Sequence, residues 1–183
     1  MPVSTIDPRT ALIVIDLQKG IVGLPTAHPI AGVIANSRAL ADAFRKHNLP
    51  VVLVNVSGAP GGRTESPRRG SAYPDGWDIL IDELDTQPGD HLVTKHTRGA
   101  FHQTGLHELL SGLDVTQVII AGVSTSAGVE STARQAHEYG YNVTLAIDAM
   151  TDTDADSHHN SVTRIFPKMA ETGTTAEILA LLP

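Results

Sequence analysis

The chain has 183 residues, enough for one domain with a sizeable core, and 41% of them are hydrophobic, which excludes a wholly disordered protein. The formal net charge of −7 argues against a nucleic-acid binder, which usually presents a basic face. The chain contains no cysteine, which excludes disulfides and thiolate metal sites. Because the sequence shows neither a secretory signal nor an apolar run of ~18 residues, we expect a cytoplasmic protein that does not contact the membrane.

Short apolar runs along the chain are continuous rather than alternating, which is typical of buried strands in a parallel sheet. They cover residues 11–15, 51–56, 91–94, 117–123 and 142–147, and the segment 168–172 is a candidate sixth strand. Helical patterns cover residues 30–47, 129–140 and 157–166, and a last helix begins at Thr174, which has capping-box spacing to Glu177.

The alternation of strands and helices predicts an α/β fold. We expect a three-layer αβα, Rossmann-like arrangement around a mostly parallel sheet of about six strands. No repeat or linker divides the sequence, so residues 1–183 should form a single domain.

The segment 57–78 is rich in glycine, proline and arginine. It is either a surface loop or a lid over the strand ends, since long loops in compact domains are often functional. Three of its arginines, together with one that follows the third strand, could bind a substrate carboxylate or simply be solvated. They are Arg63, Arg68, Arg69 and Arg98.

Polar residues follow three of the predicted strands. Asp16 follows the first strand, Lys95 the third, and the segment 124–128 the fourth. Each alone is more often a solvated loop residue or a helix cap. In an open parallel sheet, however, ligands bind beyond the carboxyl ends of the strands, so the three together indicate a site.

Four motifs in order resemble those of the isochorismatase-like hydrolases, a family within the cysteine hydrolase superfamily. They read "ALIVIDLQKGIV", "VTKHTRGAFHQTGL", "IIAGVSTSAGVESTARQAHEYGYNV" and "TTAEILALL". The resemblance covers nearly the whole chain and implies the fold expected above.

The resemblance also implies roles for individual residues. Asp16 and Lys95 match two members of the family's catalytic triad, and Gly128 stands where most members have the nucleophilic cysteine. The peptide between Val123 and Ser124 matches one that is cis in the family. The residues expected to bind substrate are Val123, Ser124, Arg98, Phe101 and Gln18.

Three functions remain open at this point. Family members that cleave vinyl ethers also have glycine at the cysteine position, and they use a carboxylic acid to protonate the substrate. We therefore expect a hydrolase of a small, carboxylate-bearing molecule that works without a covalent cysteine intermediate, with vinyl ether cleavage as one candidate reaction. The alternatives are a catalytically silent member that binds a small molecule or serves as an assembly subunit, and an amidase that activates water directly. Gly99 replaces a serine of the vinyl-ether members, so the substrate is not identified.

We expect no cofactor and no metal, because the zinc ligands of nicotinamidase relatives are missing after the second strand. The acidic segment 152–159 fails as a calcium loop, since Ser157 and Thr163 stand where glycine and glutamate are needed. It should instead cap a helix, with His158 in a structural role. Ser126 is expected to be a helix N-cap, and local spacing suggests no serine–histidine pair. The family resemblance further implies a homo-oligomer, a dimer or tetramer.

Overall fold

The computed structural model describes residues 2–65 and 73–182, which fold around one parallel sheet of six strands. The strands are β1 (Thr10–Ile15), β2 (Val51–Val56), β3 (His91–Lys95), β4 (Gln117–Val123), β5 (Asn142–Thr151) and β6 (Glu171–Gly173). Their order across the sheet is β3-β2-β1-β4-β5-β6, and each neighbouring pair runs parallel. The predicted α/β fold is confirmed.

Helices cover both faces of the sheet. They are α1 (Lys19–Val22), α2 (Ile30–Lys46), α3 (Leu106–Gly112), α4 (Glu130–Glu138), α5 (Ala155–Asn160) and α6 (Thr175–Leu181). Alternate residues of β1 point to opposite faces. Ile13 and Ile15 pack with the buried residues of α3 and α4, whereas Leu12 and Val14 pack with those of α2 and α6. The result is the expected three-layer arrangement.

Several element boundaries differ from the sequence prediction. The helix predicted over residues 129–140 begins earlier than expected, with a π-helical turn over Thr125–Val129 that leads into α4. A short 3-10 turn over Phe166–Lys168 occupies the start of the predicted sixth strand, so β6 forms only at residues 171–173. The capping box between Thr174 and Glu177 is present. Within the described residues, no helix is long and apolar enough to span a membrane.

The strand order places a switch point at the centre of the sheet. The chain leaves β1 toward β2 and β3 on one side and later returns to β4 on the other side. Ligand sites of open α/β sheets lie at such a point, beyond the carboxyl ends of the strands. Gly122 has a φ of +112°, and a Cβ there would collide with the carbonyl of Ile15, so glycine lets β1 and β4 approach closely. This contact brings Asp16 next to the helix start after β4.

Candidate active site

A buried ion pair lies at the carboxyl ends of β1 and β3. The Lys95 Nζ atom donates to Asp16 Oδ2 over 2.7 Å, and the two side chains are only 2% and 7% exposed. Lys95 donates a second hydrogen bond to the carbonyl of Thr97, over 3.2 Å. The structure therefore brings together two residues that are 79 positions apart in the sequence.

Burial dominates the electrostatics of Asp16. Loss of solvation raises the pKa of its carboxyl group from 3.8 to about 6, although the charge and hydrogen bond of Lys95 lower it. The second carboxyl oxygen, Oδ1, is buried and has no hydrogen-bond partner among the described residues. Asp16 can thus carry or release a proton near neutral pH.

The backbone holds Asp16 in a defined conformation. Its φ is +53°, a region that aspartate tolerates better than most residues but that still costs free energy. The Asp16 N–H donates to the Val54 carbonyl of the neighbouring strand over 2.8 Å, and the Asp16 carbonyl accepts from the Gln18 N–H over 2.9 Å. The turn after β1 therefore fixes where the carboxyl group points.

Gly128 faces Asp16 from the helix start after β4. A Cβ at residue 128 would lie 3.2 Å from Asp16 Oδ2 and 2.9 Å from a methyl carbon of Ile15. The peptide between Val123 and Ser124 is cis. The π-helical turn begins directly after it, and a helix start carries partial positive charge that favours anions.

These groups share one cavity of about 770 Å³. Its described lining comprises Asp16, Ile21, residues 56–62, Thr64, Tyr73, Lys95, Thr97, Arg98, Val123, Ser124, Ala127 and Gly128. Apart from the ion pair, the charged residue in this lining is Arg98, which is exposed and makes no ion pair or hydrogen bond with any described residue. The size suits a small molecule, and the cations suit an anionic one.

Comparison with known proteins identifies the family. The isochorismatase domain model matches residues 10–177. The chain belongs to the isochorismatase family. It is 36% identical over 178 residues to the uncharacterised isochorismatase family protein YwoC of Bacillus subtilis (strain 168), covering 93% of each chain.

Two further family relatives are informative. A solved structure of an isochorismatase family protein from Burkholderia thailandensis is 38% identical, with a TM-score of 0.94 and 97% of each chain covered. Streptothricin hydrolase of Streptomyces noursei is 33% identical over 145 residues, which cover 79% of this chain and 50% of that protein. The relatives of this isochorismatase-family chain therefore include a hydrolase.

Two residues of the isochorismatase-family motifs lie outside the described cavity lining, although they were expected to bind substrate. The Gln18 side chain is buried, accepts from the Val56 N–H over 2.8 Å and donates to the Val56 carbonyl over 3.0 Å. Phe101 is also buried and packs against Tyr139 and Tyr141. Gln18 thus positions the end of β2, and Phe101 belongs to the core.

The expected capping role of Ser126 is wrong. Its backbone N–H and its hydroxyl group both donate to Asp152 Oδ2, over 2.7 and 2.8 Å. The buried carboxylate of Asp152, and not the Ser126 side chain, therefore accepts the hydrogen bond of a backbone N–H at the helix start. Asp154 caps α5 through the Ser157 N–H, as the acidic segment predicts. His158 pairs with the Thr125 hydroxyl group through Nδ1 over 2.8 Å, and burial lowers the pKa of His158.

The segment 57–78 contributes to the cavity at both described ends. Residues 57–62 and Thr64 line it, and so does Tyr73, which stacks on Trp77 with ring centroids 4.1 Å apart. Arg68 and Arg69 lie outside the described residues. Arg63 is exposed and is not part of the described lining.

A serine–histidine pair that local spacing did not suggest also lies at this edge. Ser57 Oγ and His96 Nδ1 are 3.2 Å apart. The residues follow β2 and β3, where Val56 is the register partner of Lys95. Strand pairing brings them together, so only the order of the strands could have revealed them. No group of three or more metal-binding side chains occurs within residues 2–65 and 73–182.

Proposed function

We propose that this chain is a hydrolase that cleaves a small, carboxylate-bearing molecule by acid–base chemistry, with Asp16 as the group that transfers the proton and without a covalent cysteine intermediate. The observation that carries the proposal is the Asp16 carboxyl group, whose pKa of about 6 leaves it partly protonated near neutral pH. The chain has no cysteine that could form the intermediate.

Vinyl ether cleavage is the reaction for which this group is best suited. Asp16 would give its proton to the terminal carbon of the enol ether, which leaves an oxocarbenium ion. Water would then add to the cationic carbon and return a proton to Asp16. The resulting hemiketal separates into a carbonyl compound and an alcohol, so one water is consumed and the carboxyl group is restored.

The charges in the cavity support a carboxylate-bearing substrate. When Asp16 is protonated, the charged side chains of the described lining are the cations Lys95 and Arg98. The Lys95 ammonium could then turn from Asp16 Oδ2 to a substrate anion, which would keep the pKa of Asp16 raised at the moment of proton transfer. The helix start beside Gly128 adds partial positive charge.

A panel of small vinyl ethers, amides and esters, each with and without a carboxylate, tests this function. We expect turnover of a carboxylate-bearing vinyl ether, and in heavy water the product should carry one solvent deuteron at the protonated carbon. Turnover of amides alone would favour directly activated water instead.

The competing function is a catalytically silent family member that binds a small molecule or serves as an assembly subunit. The observation in its favour is the glycine at residue 128, in a chain without cysteine. Binding of several panel compounds without turnover of any would support it. The cytoplasmic location and the homo-oligomer stay predictions, which cell fractionation and light scattering of the purified protein test.

A further inference from the structure

The wall of the cavity carries a second pair of chemical groups, apart from Asp16 and Lys95. Ser57 lines the cavity, and its Oγ atom lies 3.2 Å from Nδ1 of His96, whose ring is not in the described lining. A serine in the lining of a ligand site, whose hydroxyl group lies within hydrogen-bond distance of an imidazole nitrogen, has the arrangement of a nucleophile and its base.

The sheet fixes this pair in place. Ser57 follows β2 and His96 follows β3, and the Ser57 N–H donates to the Lys95 carbonyl over 3.0 Å. Gly58 lies against the His96 side chain. A Cβ atom added at residue 58 would be 3.2 Å from Nδ1 of His96 and 3.3 Å from the Cβ atom of His96. Both side chains are thus held by backbone that belongs to the sheet edge.

The hydrogen bonding leaves His96 able to accept a proton. With its own proton on Nε2, the ring presents the lone pair of Nδ1 to the Ser57 hydroxyl group. No other hydrogen bond reaches the His96 side chain from the described residues, and no carboxylate among them orients the ring. The pair is therefore a dyad, which should be slower than a triad whose histidine is held by an acid.

We infer that Ser57, with His96 as its base, is an acyl-accepting nucleophile that gives this protein a second activity, the hydrolysis of small carboxylate-bearing esters. This activity goes beyond the proposed function, because it needs neither a proton from Asp16 nor a vinyl ether. It also supplies the nucleophile that a chain without cysteine otherwise lacks.

The steps balance with water as the co-reactant. Ser57 Oγ attacks the ester carbonyl carbon while its proton passes to His96 Nδ1. The tetrahedral intermediate then expels the alkoxide, which takes that proton and leaves as the alcohol. Water attacks the acyl-Ser57 with His96 as base, and the acid departs as Ser57 regains its proton.

Positive charge for the tetrahedral oxyanion is available in the same cavity. Lys95 is the last residue of β3 and precedes His96 directly, and Arg98 follows two residues after His96; both cations line the cavity that Ser57 lines. Arg98 has no partner among the described residues, so it is free to bind the substrate carboxylate. Neutral esters should therefore be poorer acyl donors than esters that carry a carboxylate.

A thiol titration tests the pair without any turnover, so its outcome is independent of the Asp16 proposal. Ser57→Cys introduces the single thiol of the chain, and its alkylation by iodoacetamide is followed against pH. Because a neighbouring histidine lowers a thiol pKa, we expect a value at least one unit below the ordinary value of about 8.5. The double variant Ser57→Cys, His96→Gln should return to about 8.5. Equal values in the two variants would overturn the inference.

Acylation of the natural serine is the second test. The mono-p-nitrophenyl ester of succinate should release a burst of p-nitrophenolate, and mass spectrometry should find the succinyl group on Ser57. His96→Gln should slow the burst by roughly 10²-fold, the usual worth of a general base. Ser111→Ala, which removes an exposed serine of α3, is the matched control and should acylate at the wild-type rate. An adduct at another residue, or none, would contradict the inference.

Discussion

Asp16→Asn is the substitution that bears most directly on the proposed reaction. Asparagine keeps the size of the side chain and an oxygen that can accept from Lys95, but it cannot transfer a proton. Raising the carboxyl pKa from 3.8 to about 6 corresponds to about 3 kcal/mol and makes the protonated form roughly 10²-fold more abundant at pH 7. Burial thus accounts for most of the protonated carboxyl group that is present at pH 7, and the variant has no such group.

We expect turnover of the true substrate to fall by roughly 10²–10⁴-fold in this variant, which is the usual contribution of general acid–base catalysis. Ligand binding should survive, because Lys95, Arg98 and the helix start remain. The assay is kcat/KM on the substrate found with the panel, together with a Kd from calorimetry. Asp156→Asn, an exposed acid on α5, is the control and should behave as wild type. Near wild-type turnover by Asp16→Asn would refute the proton-transfer role.

Three further predictions concern Gly128, the helix start after β4 and the pH dependence of stability. Gly128→Cys should give a thiol with a pKa below the ordinary value of about 8.5, because Lys95 and a helix start lie nearby. The rate of thiol alkylation against pH measures this pKa, and an ordinary value would mean that residue 128 does not face the site. Asp152→Ala should lower the free energy of unfolding by about 1–3 kcal/mol, since it removes the carboxylate that accepts from the Ser126 N–H and hydroxyl group at the helix start. Urea unfolding measures this loss, and Asp156→Ala should show no comparable loss. The stability of the wild type relative to Asp16→Asn should fall by up to about 3 kcal/mol as the pH rises from about 3 to about 7 and then stay level, and a flat difference over that range would contradict the raised pKa.

The raised pKa of Asp16 makes the folded state more stable at low pH than at high pH. The folded state binds the Asp16 proton more tightly than the unfolded state, since the pKa is about 6 when folded and 3.8 otherwise. Protonation therefore stabilises the fold. This contribution is fully present below the unfolded pKa and is lost as the pH rises through the folded pKa.

The sequence was most informative where a pattern is repeated along one element. Continuous apolar runs predicted the strands because both faces of a parallel sheet are buried, and β1, for example, is buried along its whole length. Helix α3 was missed because it is only seven residues long and starts after Gly105, whose φ is +74°. Its few apolar residues offer too little periodicity to stand out.

The sequence predicted some contacts of the site and not others. Asp16 and Lys95 were predicted to meet, because the carboxyl ends of parallel strands share one edge of the sheet, and they do so. The capping of the helix start by Asp152 was not predictable, since it depends on the ten-residue length of β5. Phe101 was placed by motif alone, and its side chain packs into the core because its neighbours in the fold are Tyr139 and Tyr141.

The central claim is that Asp16 is a buried acid whose pKa is raised to about 6, so that it is partly protonated near neutral pH, and a direct titration of its carboxyl group tests it. Protein with ¹³C at the aspartate carboxyl carbon can be followed by NMR from pH 3 to 8, with Asp16 assigned by the signal that is missing in Asp16→Asn. We predict a midpoint near pH 6 for this signal. A midpoint near 3.8, the ordinary value for aspartate, would contradict the account.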